Sequence, residues 1–326
     1  MPSTRYPALF RKRIISHLSR LIFHELKLFI AKIKSGGKKK KPIFDNVKNK
    51  KQEIIKAFLD TEFLNSSDAR PIRILSEYLY PRKVFHKHGV DDTIVFFGSA
   101  RAPSKKKLRK ILKDKENVKL DKAERNRLEK QKIMSDYYRD ATLLSYKLTK
   151  WSKTLPKGSR RFLIATGGGP GIMEAANRGA SLARGISMGL NIALPFEQVS
   201  NPYITPKLNF DFHYFFMRKL WFMYLAKALV IFPGGFGTCD ELFELLTLMQ
   251  TGKLTKPRLI VIYGKEYWKS VINFDVFLDW GTISKEDLEF VHFSDSVDDA
   301  YDYIVSHLTK FYIHKPASTE IVTELP

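Results

Sequence analysis

Short apolar runs alternate with amphipathic stretches through the middle and C-terminal parts of the chain. Four of these runs contain four or five mainly apolar residues, at positions 93–97, 162–165, 228–232 and 259–263. Such runs predict buried parallel strands, because helices cover both faces of a parallel sheet and leave few positions for polar side chains.

The stretches between and after these runs have helical spacing of their apolar residues. We expect helices over residues 171–184, 215–227, 267–280 and 297–311, and one that continues from about residue 238 to 253. An alternation of strand and helix predicts an α/β fold, a Rossmann-like doubly wound and mainly parallel sheet.

Two glycine clusters lie where a predicted strand passes into a predicted helix. Residues 166–174 read Thr-Gly-Gly-Gly-Pro-Gly-Ile-Met-Glu, and residues 233–241 read Pro-Gly-Gly-Phe-Gly-Thr-Cys-Asp-Glu. We call residues 167–171 the first glycine loop and residues 233–237 the second. Glycine lets the backbone approach an anion closely, and the following helix points its free N–H groups at that anion.

Neither glycine loop has the Gly-x-Gly-x-x-Gly spacing of dinucleotide-binding proteins or the Lys-Ser/Thr pair of a Walker loop. Each loop alone is also explained by a tight strand-to-helix turn. Both loops follow strands, as does Ser99 after the run at 93–97, and the carboxyl ends of parallel strands share one edge of the sheet. The pair therefore predicts one phosphate-bearing ligand of nucleotide size.

The two loops, together with Phe216-Met217-Arg218-Lys219, resemble the Lonely Guy family of nucleoside-monophosphate phosphoribohydrolases, whose members were often labelled lysine decarboxylases. The resemblance runs from about residue 91 to about residue 280, and residues 69–89 are similar to the upstream region of the longer bacterial members. It implies hydrolysis of the N-glycosidic bond of AMP or a cytokinin riboside 5′-monophosphate to free base and ribose 5-phosphate. It also implies a homodimer, no metal and no cofactor.

Carried over by position, the resemblance implies that Arg218 and Glu241 are the catalytic pair. We expect the arginine to orient the substrate and assist the departing base, and the carboxylate to face the sugar, where positive charge develops. The substrate-binding and phosphate-binding residues that the resemblance implies are Ser99, Gly168, Gly169, Gly171, Glu197, Lys219, Gly234, Gly235, Gly237, Thr238 and Thr247.

Simpler interpretations of the same residues stay open. Thr238 and Glu241 have the spacing of a capping box, and Arg218 fits a solvated position on a half-buried helix. The alternative function is a nucleotide-binding sensor or carrier of the same fold without turnover. Lysine decarboxylation is disfavoured, because no Ser-x-His-Lys type pyridoxal site is present.

Composition adds limits on location and on cofactor chemistry. The chain has 326 residues, 44% of them hydrophobic, and a single cysteine, Cys239, which excludes an intramolecular disulfide. One cysteine suits a reducing compartment, so we expect a cytoplasmic protein. No cluster of metal-ligating residues is apparent in the sequence, and a thiol nucleophile at Cys239 lacks a flanking histidine.

The formal net charge of +22 is concentrated outside the regions that resemble the family. We expect a basic N-terminal extension over residues 1–67, a catalytic domain over 68–313 with a charged, partly helical insertion at 104–135, and a flexible tail over 314–326. The spacing of apolar and basic residues predicts an amphipathic helix in the extension, which packs on its own domain, is partly disordered, or contacts an anionic membrane surface or nucleic acid. No apolar stretch reaches the roughly 20 residues needed to span a bilayer.

Overall fold

The computed structural model describes residues 55–313, except 117, 157–160, 195–198, 255–257 and 290. The fold presented here is that of the compact unit beginning at Phe58. The predicted amphipathic helix of the basic extension and the predicted C-terminal tail lie outside the described residues. The division into domains therefore stays a prediction.

Seven parallel strands form one sheet in the order β4-β3-β2-β1-β5-β6-β7. The strands are β1 (Thr93–Phe97), β2 (Leu163–Thr166), β3 (Ser187–Ile192), β4 (Asn209–Phe212), β5 (Ala226–Ile231), β6 (Leu259–Tyr263) and β7 (Val291–Ser294). Strand order reverses between β1 and β5, which is the position where doubly wound sheets bind ligands. The prediction of a Rossmann-like doubly wound sheet is confirmed.

Ten α-helices lie in the described part of the chain, and those that cross between strands cover the sheet. They are α1 (Thr61–Asn65), α2 (Arg70–His88), α3 (Lys105–Asp114), α4 (Lys122–Ser152), α5 (Ile172–Leu182), α6 (Phe215–Leu225), α7 (Phe236–Gln250), α8 (Lys265–Val271), α9 (Phe274–Asp279) and α10 (Val297–Leu308). None of the helices described is both long enough and apolar enough to cross a bilayer.

Alternating residues of the central strands enter two separate cores. Val95 and Leu229 lie in the core that includes residues of α2, α6 and α7, whereas Ile94 and Val230 lie in the core that includes residues of α4, α5 and α10. All five residues of β1 are buried, as expected for a strand covered on both faces. Burial on both faces fixes the register of β1 and so fixes where its carboxyl end lies.

The helices predicted over 267–280 and 215–227 differ from the elements in the structure. The prediction of one helix over 267–280 is wrong, because Ile272 is extended and Asn273 caps α9 by accepting the N–H of Asp275 at 3.2 Å. The helix predicted over 215–227 ends at Leu225, and the chain enters β5 at the next residue. No loop residue separates α6 from β5.

The charged insertion predicted at 104–135 forms α3 and the first part of α4. α3 buries no residue, whereas the 31-residue α4 begins with a capping box between Asp121 and Glu124 and continues into the core. Tyr138, Leu144 and Leu148 of α4 are buried. The insertion is therefore an exposed basic helix followed by the extension of a core helix.

Candidate functional site

Ser99 joins the two glycine loops at the carboxyl end of β1. Its backbone N–H donates to the carbonyl of Pro233 at 3.0 Å, and its carbonyl accepts the N–H of Ile172 at 3.1 Å. Ser99 is thus hydrogen-bonded both to the second glycine loop and to the residue that directly follows the first. The structure brings Ser99 and both loops together at the strand-order reversal, as the sequence predicts.

The first glycine loop has a backbone that only glycine adopts without strain. Gly171 has φ of +72°, and a Cβ atom there would lie 2.2 Å from the carbonyl oxygen of Ser99. Gly171 is also the N-cap of α5 and offers no capping side chain. The N–H groups of Gly169 and Gly171 donate to no described residue, which leaves them available to an anion at this helix terminus.

The second glycine loop opens α7, and Gly235 is its N-cap. A Cβ atom at Gly234 would lie 2.1 Å from Oγ1 of Thr238, so the threonine hydroxyl lies directly against the loop. A Cβ atom at Gly235 or Gly237 would meet nothing within 4 Å, so both glycines border open space. The N–H groups of Gly234, Gly235 and Gly237 donate to no described residue, although the carbonyls of this loop accept hydrogen bonds.

The capping-box interpretation of Thr238 and Glu241 is wrong. α7 begins two residues before Thr238, whose N–H donates to the carbonyl of Gly235 at 3.0 Å, so Thr238 is not the cap. The carboxylate of Glu241 accepts no hydrogen bond from the described residues, although only 1% of its side chain is exposed. Helix capping therefore does not explain this buried acid.

Arg218, on α6, lies beside Glu241 of α7. Their closest atoms, Nη2 and Oε1, are 3.7 Å apart, and 15% of the arginine side chain is exposed. The Nε atom of Arg218 is buried without a partner among the described residues. The interpretation of Arg218 as a solvated surface residue is wrong, and the pair is an incompletely hydrogen-bonded ion pair.

Burial dominates the electrostatics of this pair. It raises the pKa of Glu241 to about 7, against the opposing effect of the positive charges on Arg218 and Lys219. Burial also lowers the pKa of the Arg218 guanidinium, and the carboxylates of Glu241 and Asp240 oppose that shift. Glu241 consequently changes its ionisation close to neutral pH, which suits a group that acts on a developing charge.

The Arg218 guanidinium also lies near the first glycine loop. A Cβ atom at Gly167 would be 3.9 Å from Nη1 of Arg218 and 2.9 Å from the sulfur of Met173. Arg218 therefore lies between the first loop and the acid that follows the second loop. Met173 is half-buried and packs at Gly167, at the border of the site.

The other predicted contact residues are less central. Nζ of Lys219 forms ion pairs with Oδ1 of Asp240 at 2.8 Å and Oε2 of Glu244 at 2.9 Å. Thr247 is exposed, and its hydroxyl donates to the carbonyl of Phe243 at 2.7 Å. Thr247 lines a shallow groove of about 290 Å³ on α7, together with Asp240, Phe243, Glu244 and Leu248. Glu197 lies outside the described residues.

Two buried amides that the sequence did not predict support the first loop. Asn201, which lies between β3 and β4, donates from Nδ2 to the carbonyls of Gly168 and Gly169 at 3.0 and 3.1 Å. Asn177 of α5 accepts a further hydrogen bond from the same amide at 2.9 Å. For Asn177, a polar residue on the otherwise small and apolar face of α5 is a usable signal; Asn201 has none.

One family model matches part of the chain. Residues 173–304 match the family model described as "Possible lysine decarboxylase", the label often given to Lonely Guy proteins. This match covers less than half of the chain and agrees with the resemblance to the Lonely Guy family. The matched residues include Arg218, the second glycine loop and Glu241, whereas Ser99 and the first glycine loop precede them.

Two solved structures are similar to the chain at low identity. The X-ray structure of a protein named TM1055 is 20% identical and covers 66% of this chain and 99% of its own, with a TM-score of 0.43. The molybdenum cofactor carrier protein from Chlamydomonas reinhardtii is 17% identical and covers 68% and 99%, with a TM-score of 0.42. Likeness at this level says nothing about ligand or activity. A search of curated proteins gives no significant match.

Proposed function

We propose that this protein hydrolyses the N-glycosidic bond of purine-type nucleoside 5′-monophosphates, such as AMP or a cytokinin riboside 5′-monophosphate. The products are the free base and ribose 5-phosphate. The observation that carries the proposal is the convergence at Ser99 of two glycine loops with unpaired amides, beside a buried arginine–glutamate pair. A phosphate requires such donors, and cleavage at a sugar requires such a carboxylate.

The two loops are the binding part of the proposed site. The N–H groups of Gly169 and Gly171 at the start of α5, and those that open α7, supply donors and the positive ends of two helix dipoles. The hydroxyl of Thr238 lies beside Gly234 and adds a side-chain donor. We assign the 5′-phosphate to this region, which fixes the distance from the phosphate to the reacting sugar carbon.

In the proposed reaction, the bond between C1′ and the base nitrogen breaks and its electron pair leaves with the base. A water oxygen bonds to C1′, and the water proton is transferred in net to the base. Ionised Glu241 stabilises the positive charge that develops on the sugar and accepts the proton of the attacking water. Arg218 holds the substrate in the reactive geometry and stabilises electron density on the leaving base.

Decarboxylation of lysine is not proposed. That chemistry uses a pyridoxal group bound to a lysine amine as a Schiff base. Lys219 is the lysine beside Arg218, and its amine is held by two carboxylates. Although burial lowers the pKa of Lys219, the hydrogen bonds to Asp240 and Glu244 raise it overall. An ammonium group bound in this way does not fit the role of a Schiff-base amine.

A homodimer is part of the proposal. Phe215, Phe216 and Phe236 are large apolar side chains that are more than half exposed, and they lie at the starts of the two helices that carry the proposed catalytic pair. Aromatic side chains are enriched at protein interfaces. Light scattering coupled to size exclusion should give twice the mass of the chain. A cytoplasmic location stays a prediction from the single cysteine.

Incubation with AMP in buffer containing a chelator tests the activity directly. We expect chromatography to show adenine and ribose 5-phosphate in equal amounts, and no adenine from the Glu241→Gln variant. Tight AMP binding without release of adenine by the wild-type protein would contradict the hydrolase and favour the binding protein without turnover.

A further inference from the structure

Asn201 is a buried side chain with several partners in the first glycine loop. The residue is 6% exposed, and its Nδ2 atom donates to the carbonyls of Gly168 and Gly169 and to Oδ1 of Asn177. Its backbone N–H donates to the carbonyl of Gly168 at 2.8 Å, and its Oδ1 accepts the N–H of Tyr203 at 3.2 Å. Asn201 is therefore the donor in each of its hydrogen bonds to the first glycine loop, and a loop carbonyl is the acceptor.

The surrounding network fixes the direction of each hydrogen bond. The N–H of Gly168 donates to Oγ1 of Thr166 at 3.0 Å, so the threonine hydroxyl donates onward to Oδ1 of Asn177 at 2.7 Å. Nδ2 of Asn177 donates to Oγ of Ser187 at 3.0 Å and to the carbonyl of Met188 at 3.3 Å. Reversal of either amide would place an oxygen against a carbonyl, so one arrangement satisfies the network.

We propose that Asn201 is a positioning residue that prepares the first glycine loop for a phosphate. Its amide holds the loop carbonyls on the protein side, and the N–H groups of Gly169 and Gly171 are thereby left on the ligand side. Preorganised donors bind an anion without the free-energy penalty of ordering the loop. This inference rests on the proposed function only for the choice of a nucleoside monophosphate as ligand.

Asn201→Asp is the informative substitution, because it keeps the shape of the side chain and exchanges a donor for an acceptor. An ionised aspartate would face the carbonyls of Gly168 and Gly169 and Oδ1 of Asn177, so it would repel all three oxygens. A protonated aspartic acid regains one O–H donor. Loop geometry in this variant should therefore depend on pH, whereas it should not in Asn201→Ala.

The experiment measures AMP affinity by calorimetry in a Glu241→Gln background, so that AMP is not consumed. We expect Asn201→Asp to weaken AMP binding by at least about 10-fold at pH 8, the order expected when buried carbonyls lose their donor. Relative to the background protein at each pH, this loss should shrink at pH 6. Asn201→Ala should weaken binding to a similar extent at both pH values. Asn273→Asp adds the same charge at the exposed cap of α9, where aspartate caps equally well, and should leave affinity unchanged.

Thermal unfolding of each variant separates positioning from loss of the fold. Unchanged AMP affinity in a folded Asn201→Asp protein would overturn the inference, as would a loss that is the same at pH 6 and pH 8. If Asn201→Asp does not fold, normal affinity of Asn201→Ala overturns it and a weakened, pH-independent affinity supports it. If the wild-type protein binds AMP without releasing adenine, the hydrolase proposal alone is contradicted. If neither the wild-type protein nor the Glu241→Gln background binds AMP, both the hydrolase proposal and the role of Asn201 are contradicted.

Discussion

Nη2 of Arg218 lies 3.7 Å from Oε1 of Glu241, and neither carboxylate oxygen of Glu241 accepts a hydrogen bond from the described residues. Buried carboxylates in stable folds normally accept several hydrogen bonds. A buried acid whose carboxylate accepts no hydrogen bond contributes little to stability, since its desolvation is not offset. Such a local exception is expected at a functional site that a ligand completes.

Glu241→Gln should abolish base release while the protein stays folded. The amide keeps the volume of the carboxylate but removes the charge, so we expect kcat for AMP to fall by about 100-fold or more, the range reported for loss of a general base. Initial rates of adenine release at saturating AMP provide the measurement. Glu266→Gln, at an exposed position in α8, is the matched control and should retain wild-type rates.

Arg218→Lys tests whether a positive charge at residue 218 of α6 is sufficient for activity. Lysine keeps a positive charge but lacks the planar fork of donors, so we expect kcat/KM for AMP to fall at least about 10-fold. Arg139→Lys, at a half-exposed ion pair on α4, should have no effect on these constants. Equal kcat/KM for Arg218→Lys and the wild-type protein would show that the fork is unnecessary.

The pH dependence of kcat/KM should report the ionisation of Glu241. The proposed chemistry needs the carboxylate, and burial raises the pKa of this group to about 7. Activity should therefore rise with pH and level off above pH 7, beyond the change that accompanies the second ionisation of the substrate phosphate near about pH 6. A profile that falls between pH 6 and pH 8 would instead indicate that the protonated acid is the active form.

The contribution of Glu241 to the free energy of unfolding should fall as pH rises, whereas activity should increase. Because the pKa of Glu241 is about 7 in the folded protein and 4.5 as the ordinary value, the folded state retains a proton that the unfolded chain has lost. The stabilisation is thus present below about pH 4.5 and is lost as pH rises towards about 7. The free energy of unfolding of Glu241→Gln relative to wild type should increase over this range by about 1–3 kcal/mol. Urea titrations at pH 5 and pH 8 measure it; an equal difference at both would contradict the raised pKa.

Gly171→Ala should destabilise the fold more than an equivalent substitution elsewhere. Gly171 and Gly89 have φ of +72° and +62°, but an added Cβ meets the Ser99 carbonyl at 2.2 Å in the first case and nothing within 4 Å in the second. We expect Gly89→Ala to cost about 1 kcal/mol from backbone strain, and Gly171→Ala at least about 1 kcal/mol more. Urea titrations of both variants measure the difference. Equal losses would show that the loop moves away from Ser99 without penalty.

The central strands were predictable because burial on both faces leaves continuous apolar runs, as in Thr93–Phe97 and Leu259–Tyr263. The outer strands carry no such signal. β4 reads Asn-Phe-Asp-Phe with alternating burial, and β3 ends at half-buried residues, so neither forms a long apolar run. The break at Ile272 and Asn273 was also missed, because the apolar periodicity continues through it while the asparagine cap stops the helix.

The glycine loops of the site were predictable, because their backbone geometry requires glycine. The buried polar side chains that hydrogen-bond to the first loop were not. Both glycine loops and the Arg218–Glu241 pair lie together, as expected. The ligand contact that the resemblance implies for Thr247 stays a prediction; its hydroxyl donates to the carbonyl of Phe243 in the same helix. Asn201 was missed, since no spacing in a sequence shows which loop an isolated asparagine will contact.

A crystal structure of the Glu241→Gln variant with AMP tests the central claim most directly. We expect the 5′-phosphate within hydrogen-bonding distance of the amides of Gly169 and Gly171 and of the start of α7, with residue 241 facing C1′ of the ribose. A phosphate bound away from both glycine loops, or a side chain of residue 241 turned away from the sugar, would contradict it.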